Sequence, residues 1–424
     1  MKTANVAEAV KSEHAVALLK QMYGENRVEE NAARYQLVAD GFAKEFGDKA
    51  FEFFSAPGRT EIGGNHTDHN HGKVLAGSVH LDCVAAAAPN GTHTVNLISE
   101  TYNQHLVINL DDLAPTEKTT GTEPLLKGIF AGLLEKGCKV EGFDAYVTSN
   151  VIGGAGVSSS ASFEMLVCVI VDHLFNEGKI GVVTYAKAGQ YAENVYWLKA
   201  SGLMDQLACA VGGPILLDFS DRENPKYEKV NFSFHDYDHH LVIVNTGKGH
   251  ADLSEEYSEI PMEMKEAAKA AGAELLCETT LEKVLANMDK IDNDRAILRA
   301  IHFFKENERV ERAAKAVEEK DGETVLKLLS ESGESSWELL QNCYPIKAYT
   351  EQKISVALAL TDLFLEKLGK GICRIHGGGF AGVIMCVVPE EETENYVSYI
   401  SEFAGKENVY PMNIRAVGAV HIEK

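Results

Sequence analysis

The stretch Asn150-Val-Ile-Gly-Gly-Ala-Gly-Val-Ser-Ser-Ser-Ala-Ser162 decides how this chain is read. Its three glycines and three consecutive serines lie between a short apolar run, Tyr146 to Val151, and a long one, Ala161 to Phe175. The pattern predicts a strand, a glycine-rich turn and then a helix. Helix N-termini carry unpaired N–H groups and partial positive charge, so they attract anions. Gly153, Gly154 and Gly156 let the backbone approach a ligand, and Ser158, Ser159 and Ser160 add hydroxyls for capping, phosphate oxygens or a metal ion. Gly154, Ala155, Gly156, Val157, Ser158, Ser159 and Ser160 are the candidate phosphate cradle, which suggests a nucleotide. An ordinary helix start after a flexible turn is the plainer alternative. No Gly-Lys-Ser/Thr follows, so this is not a Walker loop, and serine stands where a dinucleotide fingerprint has its third glycine.

A second cluster lies upstream, Ser55-Ala-Pro-Gly-Arg-Thr-Glu-Ile-Gly-Gly-Asn-His-Thr-Asp-His-Asn-His-Gly72. Its four glycines and proline predict a loop. Arg59, Glu61, Asn65, His66, Asp68, His69, Asn70 and His71 offer the mixture of donors and acceptors that a polyhydroxylated ligand needs. His66, Asp68, His69 and His71 are equally a candidate transition-metal set, although no spacing here is a standard zinc pattern. A solvated loop is the third reading. A third cluster, Arg374-Ile-His-Gly-Gly-Gly-Phe-Ala-Gly382, exposes backbone between two apolar strands. A His-Gly-Gly-Gly run also occurs in esterase oxyanion holes, but the Gly-x-Ser-x-Gly elbow that reading requires is missing downstream. Between these clusters, Asp205 in Ser201-Gly-Leu-Met-Asp-Gln206 is either a helix N-cap or a buried general base.

The whole chain bounds these readings. Its 424 residues predict two or three domains. A formal net charge of -23 argues against nucleic acid and against an anionic membrane surface. The eight cysteines show no Cys-x-x-Cys pair and read as free thiols in a reducing compartment. The sequence starts without an apolar signal core and has no run long enough to span a membrane, so a cytoplasmic protein is expected and the sequons at Asn65, Asn90 and Asn231 read as chance matches. Helices are expected over the first 50 residues and short strands over 51–110. Further helices are expected over 125–134, 161–175, 183–199, 262–332 and 349–367, and strands at 143–151, 214–219, 241–245, around Gly377-Gly-Gly379 and near 417–422. The mixture without strict alternation predicts an α+β fold. The polar stretch Ser220 to Lys229 is the candidate boundary between an N-terminal domain, 1–219, and a C-terminal domain, 220–424.

The four clusters follow the order and approximate spacing of the galactokinase branch of the GHMP small-molecule kinases, which the chain resembles over about residues 52 to 424. The sugar loop of that branch, Gly-Arg-Val-Asn-Leu-Ile-Gly-Glu-His-Thr-Asp-Tyr-Asn, is similar to Gly58-Arg-Thr-Glu-Ile-Gly-Gly-Asn-His-Thr-Asp-His-Asn70. Its Gly-Leu-Ser-Ser-Ser-Ala is similar to Gly156-Val-Ser-Ser-Ser-Ala161, its Gly-Ile-Met-Asp-Gln to Gly202-Leu-Met-Asp-Gln206, and its Gly-Gly-Gly-Phe-Gly-Gly to Gly377-Gly-Gly-Phe-Ala-Gly382. The resemblance implies a two-domain fold with an interdomain cleft, and transfer of the γ-phosphoryl group of ATP, with Mg²⁺, to the C1 hydroxyl of galactose. It implies Asp205 as the base, Arg59 as the cation beside it, and Ser160 and Glu193 as magnesium ligands. It implies His66, Asp68, Gly202 and Tyr257 as sugar contacts, and Asn65 at the position of a further one. The partners expected are a small sugar and ATP, with a monomer favoured.

Three departures stand out. The acid of the sugar loop is Asn65 here, the asparagine four residues earlier is Glu61, and the tyrosine after the aspartate is His69. The resembled acid faces the sugar near C6, and an amide there can donate to a C6 carboxylate as well as accept from a hydroxyl. A uronic acid such as galacturonate, or another C6-modified sugar, is therefore an alternative substrate, and a non-catalytic sugar sensor is the alternative from a different class.

Overall fold

The structure is a computed structural model that describes residues 12–422 except Ile152, Ala155, Ala200, Arg222, Glu223, 248–253 and Ala381. In chain order, helices α1 (Glu13–Tyr23) and α2 (Val28–Phe46) precede strands β1 (Glu52–Gly63), β2 (Lys73–Pro89), β3 (Thr94–Ser99) and β4 (Gln104–Asn109). Helix α3 (Thr122–Glu135) leads to β5 (Phe143–Ser149), α4 (Ser159–Phe175), α5 (Val182–Tyr191) and α6 (Met204–Val211). Strands β6 (Pro214–Asp218), β7 (Lys226–Lys229) and β8 (His239–Asn245) follow, then α7 (Ser254–Ala270), α8 (Asp294–Glu318), α9 (Gly322–Ser335) and α10 (Lys353–Leu368). The chain continues through β9 (Ile372–Ile375), β10 (Val383–Pro389), α11 (Thr393–Ala404), β11 (Val409–Met412) and β12 (Val420–Ile422).

These strands make two sheets, an arrangement of the α+β class. The larger runs β12-β1-β2-β5-β3-β4, with β6 also on β2 and β7 on β6; the smaller runs β11-β8-β10-β9. Strand β2 is long enough to have two neighbours in succession on one side. Its Cys83–Pro89 half pairs with β5, and its Lys73–Gly77 half pairs with β6. The phosphate-loop segment leaves β5 where the sheet forks.

Burial on both faces explains why the Cys83–Ala88 part of β2 is apolar without alternation. Cys83, Ala85 and Ala87 pack with α4 residues such as Leu166 and Ile170, while Val84, Ala86 and Ala88 pack with Tyr35, Val38 and Phe42 of α2. The smaller sheet divides its side chains likewise. Val242, Val244, Ile384 and Cys386 meet Ile354, Leu358 and Ile400 of α10 and α11. Leu241, Ile243, Met385 and Val387 share a core with Val325 and Leu328 of α9 and with the larger sheet.

Two expectations about residues 51–72 are corrected. Strands over 51–110 are not all short: β1 has 12 residues and β2 has 17. Residues 55–63 belong to β1, so the loop of the second cluster is confined to 64–72. Glycine and proline mislead there because β1 has register shifts at Pro57/Arg59 and Glu61/Gly63 that accommodate them. The stretch Ser220 to Lys229 contains β7, which returns to the larger sheet, as does β12. Strand β11 was not anticipated. The cysteines are all free. Among the described residues, no helix is long and apolar enough to cross a membrane.

Candidate active site

The phosphate-loop segment folds as the glycines and serines require. Gly154 and Gly156 have φ of 79° and 71°, and Ser158 adopts a left-handed conformation immediately before α4. The Arg59 N–H donates to the Val157 carbonyl at 3.0 Å, which docks the loop on β1. That approach requires Gly58, since a Cβ there would lie 2.6 Å from the Val157 oxygen. The loop thus meets β1 where the sugar-loop sequence begins. Ala155 lies outside the described residues.

Arg59, Asp205 and Ser158 form the junction. Asp205 is the second residue of α6, and its Oδ1 accepts from Arg59 Nε at 2.7 Å. Its Oδ2 accepts from Ser158 Oγ, while Arg59 Nη1 donates to the Gly156 carbonyl. The Arg59 side chain is buried, whereas 31% of the Asp205 side chain is accessible. Burial pushes the Asp205 pKa up, but the Arg59 charge and the bonds from Arg59 and Ser158 outweigh it and hold the carboxyl below its ordinary value. This is an ionised, reachable carboxylate with its orientation fixed.

The cavity beside it is lined by Arg59, Glu61, His66, Asp68, Glu193, Lys199, Gly202, Asp205, Tyr257, Gly377 and Gly378. All of the predicted sugar residues except Asn65 line it. His66 Nε2–H donates to the Gly378 carbonyl at 2.8 Å, leaving buried Nδ1 without a partner among the described residues. Burial, with His69 adding to it, pulls the His66 pKa down to about 3, so Nδ1 is a neutral acceptor for a ligand hydroxyl. Asp68 accepts from His69 Nδ1 at 2.9 Å, and His69 Nε2 lies 3.2 Å from the Tyr257 hydroxyl. Burial raises the Asp68 pKa, but His69 outweighs it and holds the carboxyl at about 2. Burial lowers His69, yet Asp68 wins and raises it. The loop histidines therefore serve separate partners; His71 bonds the Phe219 carbonyl at 3.0 Å. The Tyr257 ring lies against Gly378, where a Cβ would come within 2.6 Å of its Cε2.

Asn65 sits one layer behind the wall, fully buried. Its Nδ2 donates to Glu61 Oε1 at 3.1 Å and to the Gly377 carbonyl at 2.8 Å, and its Oδ1 accepts from Asn342 Nδ2 at 2.8 Å. This differs from the expectation that Asn65 contacts the sugar directly: the amide is engaged by protein, and Glu61 faces the cavity instead. A carboxylate in the cavity also removes the motive for a uronic acid. The third cluster holds this wall from behind. Arg374 Nη2 donates to Glu61 Oε1 at 2.8 Å, and His376 Nε2 accepts from the Glu61 N–H at 3.1 Å. Sequence reading did not single out either residue's role; the only local signal was a charge in an apolar strand.

Glu193 lies on a π-helical turn, Ala192–Tyr196, that extends α5, and its side chain is 3% exposed rather than solvated. It accepts from Ser160 Oγ at 3.1 Å and from Lys199 Nζ at 3.0 and 3.1 Å. Behind it, burial and then the neighbouring Glu193 hold the Glu164 carboxyl well above the ordinary carboxylate range. One carboxylate and one hydroxyl are hard oxygen donors of the kind Mg²⁺ takes alongside phosphate. Lys199, which nothing in the sequence marked, shows that the spot accepts a cation. Ser159 and Ser160 also line a neighbouring cavity of about 250 Å³ with Leu97, Tyr102, Leu125, Phe163 and Trp197.

Buried histidines give the fold a pH dependence of known sign. His66 and His80 are both held at about 3, chiefly by burial and then by His69 and Arg27 respectively. Unfolded histidine titrates near 6.5, so the native state binds fewer protons below that pH and loses stability down to about pH 3. Each contributes up to about 1.4 kcal/mol per pH unit in that window. His69 works oppositely: its raised pKa stabilises the fold fully below 6.5, and that share is lost as pH rises through the folded value. Urea unfolding at pH 7 and pH 5 should show a clear loss at pH 5; equal stability would contradict the neutral burial of His66 and His80.

The family model for the galactokinase galactose-binding signature matches residues 40–89, and that for the GHMP kinases N terminal domain matches residues 124–213. The chain is 31% identical to a galactokinase of Clostridium tetani, over 85% of this chain and 90% of that protein. It is 30% identical to a galactokinase of Lactococcus lactis subsp. lactis, over 91% and 95%. The crystal structure of Lactococcus lactis galactokinase complexed with galactose superposes with a TM-score of 0.79 at 27% identity, covering 92% of this chain and all of that one. A mevalonate kinase structure shares the fold, with a TM-score of 0.60 at 16% identity over 85% and 98%.

Proposed function

The chain belongs to the galactokinase family of the GHMP kinases, and on that premise we propose that it is an ATP-dependent galactokinase, transferring the γ-phosphoryl group to the C1 hydroxyl of galactose. The observation that carries this reading is the Asp205 junction. One carboxylate is bonded both by Arg59 of the sugar cavity and by Ser158 of the phosphate loop. A hydroxyl beside Asp205 would therefore face a phosphate on the loop. A sugar sensor has no need of that arrangement.

Phosphoryl transfer demands positioning and charge stabilisation more than covalent help. Asp205 accepts the C1 hydroxyl proton as that oxygen bonds to the γ-phosphorus and the bond to the leaving ADP oxygen breaks. Arg59 keeps Asp205 ionised and adds positive charge beside the transferring group. His66 Nδ1 and Asp68 accept from sugar hydroxyls, Gly202 leaves room beside Asp68, and Tyr257 closes the side. Asn65 acts from behind, through Glu61. The glycines 154 and 156 with Val157 to Ser160 cradle the phosphates at the start of α4, and the apolar cavity next to Ser159 suits an adenine ring. Ser160 and Glu193 are the residues that would hold Mg²⁺, which when bound neutralises phosphate charge. A division near residue 220 into two domains and a cytoplasmic, monomeric protein complete the reading.

Two measurements test it. ATP consumption across galactose, galacturonate, N-acetylgalactosamine, arabinose and glucose should be greatest with galactose; no turnover of galactose would refute the assignment. Ser160→Ala should raise the magnesium concentration for half-maximal rate by about tenfold. An unchanged magnesium requirement would remove Ser160 from the metal site.

A further inference from the structure

Resting on the reading of the cavity as a galactose site, we propose that Glu61 determines sugar specificity, accepting a hydrogen bond from a hydroxyl on the side of the ring away from C1, with Asn65 and Arg374 as its positioning residues.

Placement comes first. Arg59 and Glu61 are two residues apart on β1, with no register shift between Arg59↔Ser78 and Glu61↔Ala76. Alternate strand residues face the same way, so both side chains enter the cavity about 6.7 Å apart along the strand. A single pyranose ring spans such a step. The Arg59 end is the Asp205 junction, where C1 reacts. Glu61 therefore stands at the other end of the ring, where the C4 and C6 hydroxyls lie.

The carboxylate is also prepared to accept. Glu61 is 2% exposed. Its Oε1 takes the Arg374 bond at 2.8 Å and the Asn65 bond at 3.1 Å. Among the described residues its Oε2 has only the Asn65 contact, at 3.3 Å, and keeps acceptor capacity for a ligand. Arg374 is itself fixed, since its side chain is fully buried and Nη1 donates to the Ile62 carbonyl at 2.6 Å. Asn342 donates to Asn65 Oδ1, which fixes which end of that amide turns to Glu61. Carboxylate, guanidinium and amide form one unit behind the sugar.

This unit gives the sequence departures a physical meaning. Relative to the resembled motif, acid and asparagine are exchanged between positions 61 and 65, and in the fold the two side chains touch. One acid and one amide are retained, but the acid now stands on a strand rather than in the loop. The two positions should therefore be coupled. Glu61→Asn leaves buried Arg374 without its counter-charge. Asn65→Glu sets two carboxylates against a single guanidinium, which disfavours both charges. The double exchange restores one of each.

The experiment measures galactose and ATP kinetics for the unaltered protein, Glu61→Gln, Glu61→Asn, Asn65→Glu and Glu61→Asn/Asn65→Glu, with circular dichroism and nucleotide binding on each. Glu61→Asn should raise the galactose KM by about tenfold or more while the ATP KM stays within about twofold. The double exchange should regain about tenfold in kcat/KM over the worse single variant. On the unaltered protein, either 4-deoxygalactose or 6-deoxygalactose should lose about tenfold in kcat/KM, and with that sugar Glu61→Gln should cost nothing further. This arm holds even if Glu61→Asn fails to fold. Well-folded Glu61 variants with unchanged galactose KM, a double exchange no better than the worse single, or full turnover of both deoxy sugars would each overturn the role of Glu61. Failure of the unaltered protein to phosphorylate galactose would instead defeat the galactokinase reading on which the proposal rests.

Discussion

Asp205→Asn should lower kcat by about 10³- to 10⁴-fold while galactose binding, followed by calorimetry, stays within about threefold of the unaltered protein. The substitution keeps shape and one carbonyl acceptor, so Arg59 Nε retains a partner at the position now 2.7 Å away. It removes the negative charge and the capacity to take the hydroxyl proton. The loss should therefore fall on kcat rather than on KM. The pH profile supplies a second reading. Asp205 is held below the usual carboxylate range by Arg59 and Ser158 despite its burial, so kcat should not rise through an acidic limb above about pH 5 on its account. A variant retaining a tenth of normal kcat would remove Asp205 from the role of base. A limb centred near pH 6 would show that a different group takes the proton.

Asp82→Ala should be the most destabilising single change described here, by about 3–5 kcal/mol. Asp82 stands in the apolar run of β2 and is fully buried. It accepts from Arg34 Nη1 at 2.9 Å, Arg415 Nη1 at 2.7 Å, and the hydroxyls of Tyr23 and Ser55, each at 2.5 Å. Its N–H donates to Asn150 Oδ1 at 2.6 Å, just before the phosphate loop. One carboxylate thus joins α1, α2, β1 and the segment before β12, while the backbone of the same residue holds Asn150. Removing it strands the fully buried Arg415 and the largely buried Arg34 without their counter-charge. Burial raises the Asp82 pKa, but Arg34 and Arg415 outweigh it and lower the value. Its stabilisation is therefore present above the unfolded pKa near 3.9 and lost as pH falls through the folded value. Denaturant unfolding of Asp82→Ala and Asp82→Asn should show the alanine variant as much the weaker. A loss below about 1 kcal/mol for alanine would mean that the two arginines find other partners.

The sequence by itself determined what depends on neighbours along the chain. A glycine-rich turn followed by serines and a long apolar run must begin a helix, and α4 starts at Ser159 as that pattern requires. The order of four motifs identified the family because each motif is a local backbone solution to holding a ligand. Asp205 was legible because a carboxylate beside apolar residues at a helix start is locally unusual. The helices expected over 125–134, 161–175 and 349–367 fold over 122–135, 159–175 and 353–368.

Only the tertiary structure decided what depends on partners distant in sequence. Glycine and proline made β1 read as loop, and its pairing with β2 overrode them. Nothing local to Glu193 shows that it is buried; packing sets it against Ser160 and Lys199. The motif alignment put the departure from the family at Asn65, but 312 residues separate it from Gly377, whose carbonyl takes its amide. The same folding brings Arg374 to Glu61 and so makes Glu61, rather than Asn65, the side chain that faces the cavity. A side chain's type is written in the sequence; whether its charge meets solvent, a buried arginine or a ligand depends on which distant segments fold against it, because burial and Coulomb interactions act through space rather than along the chain.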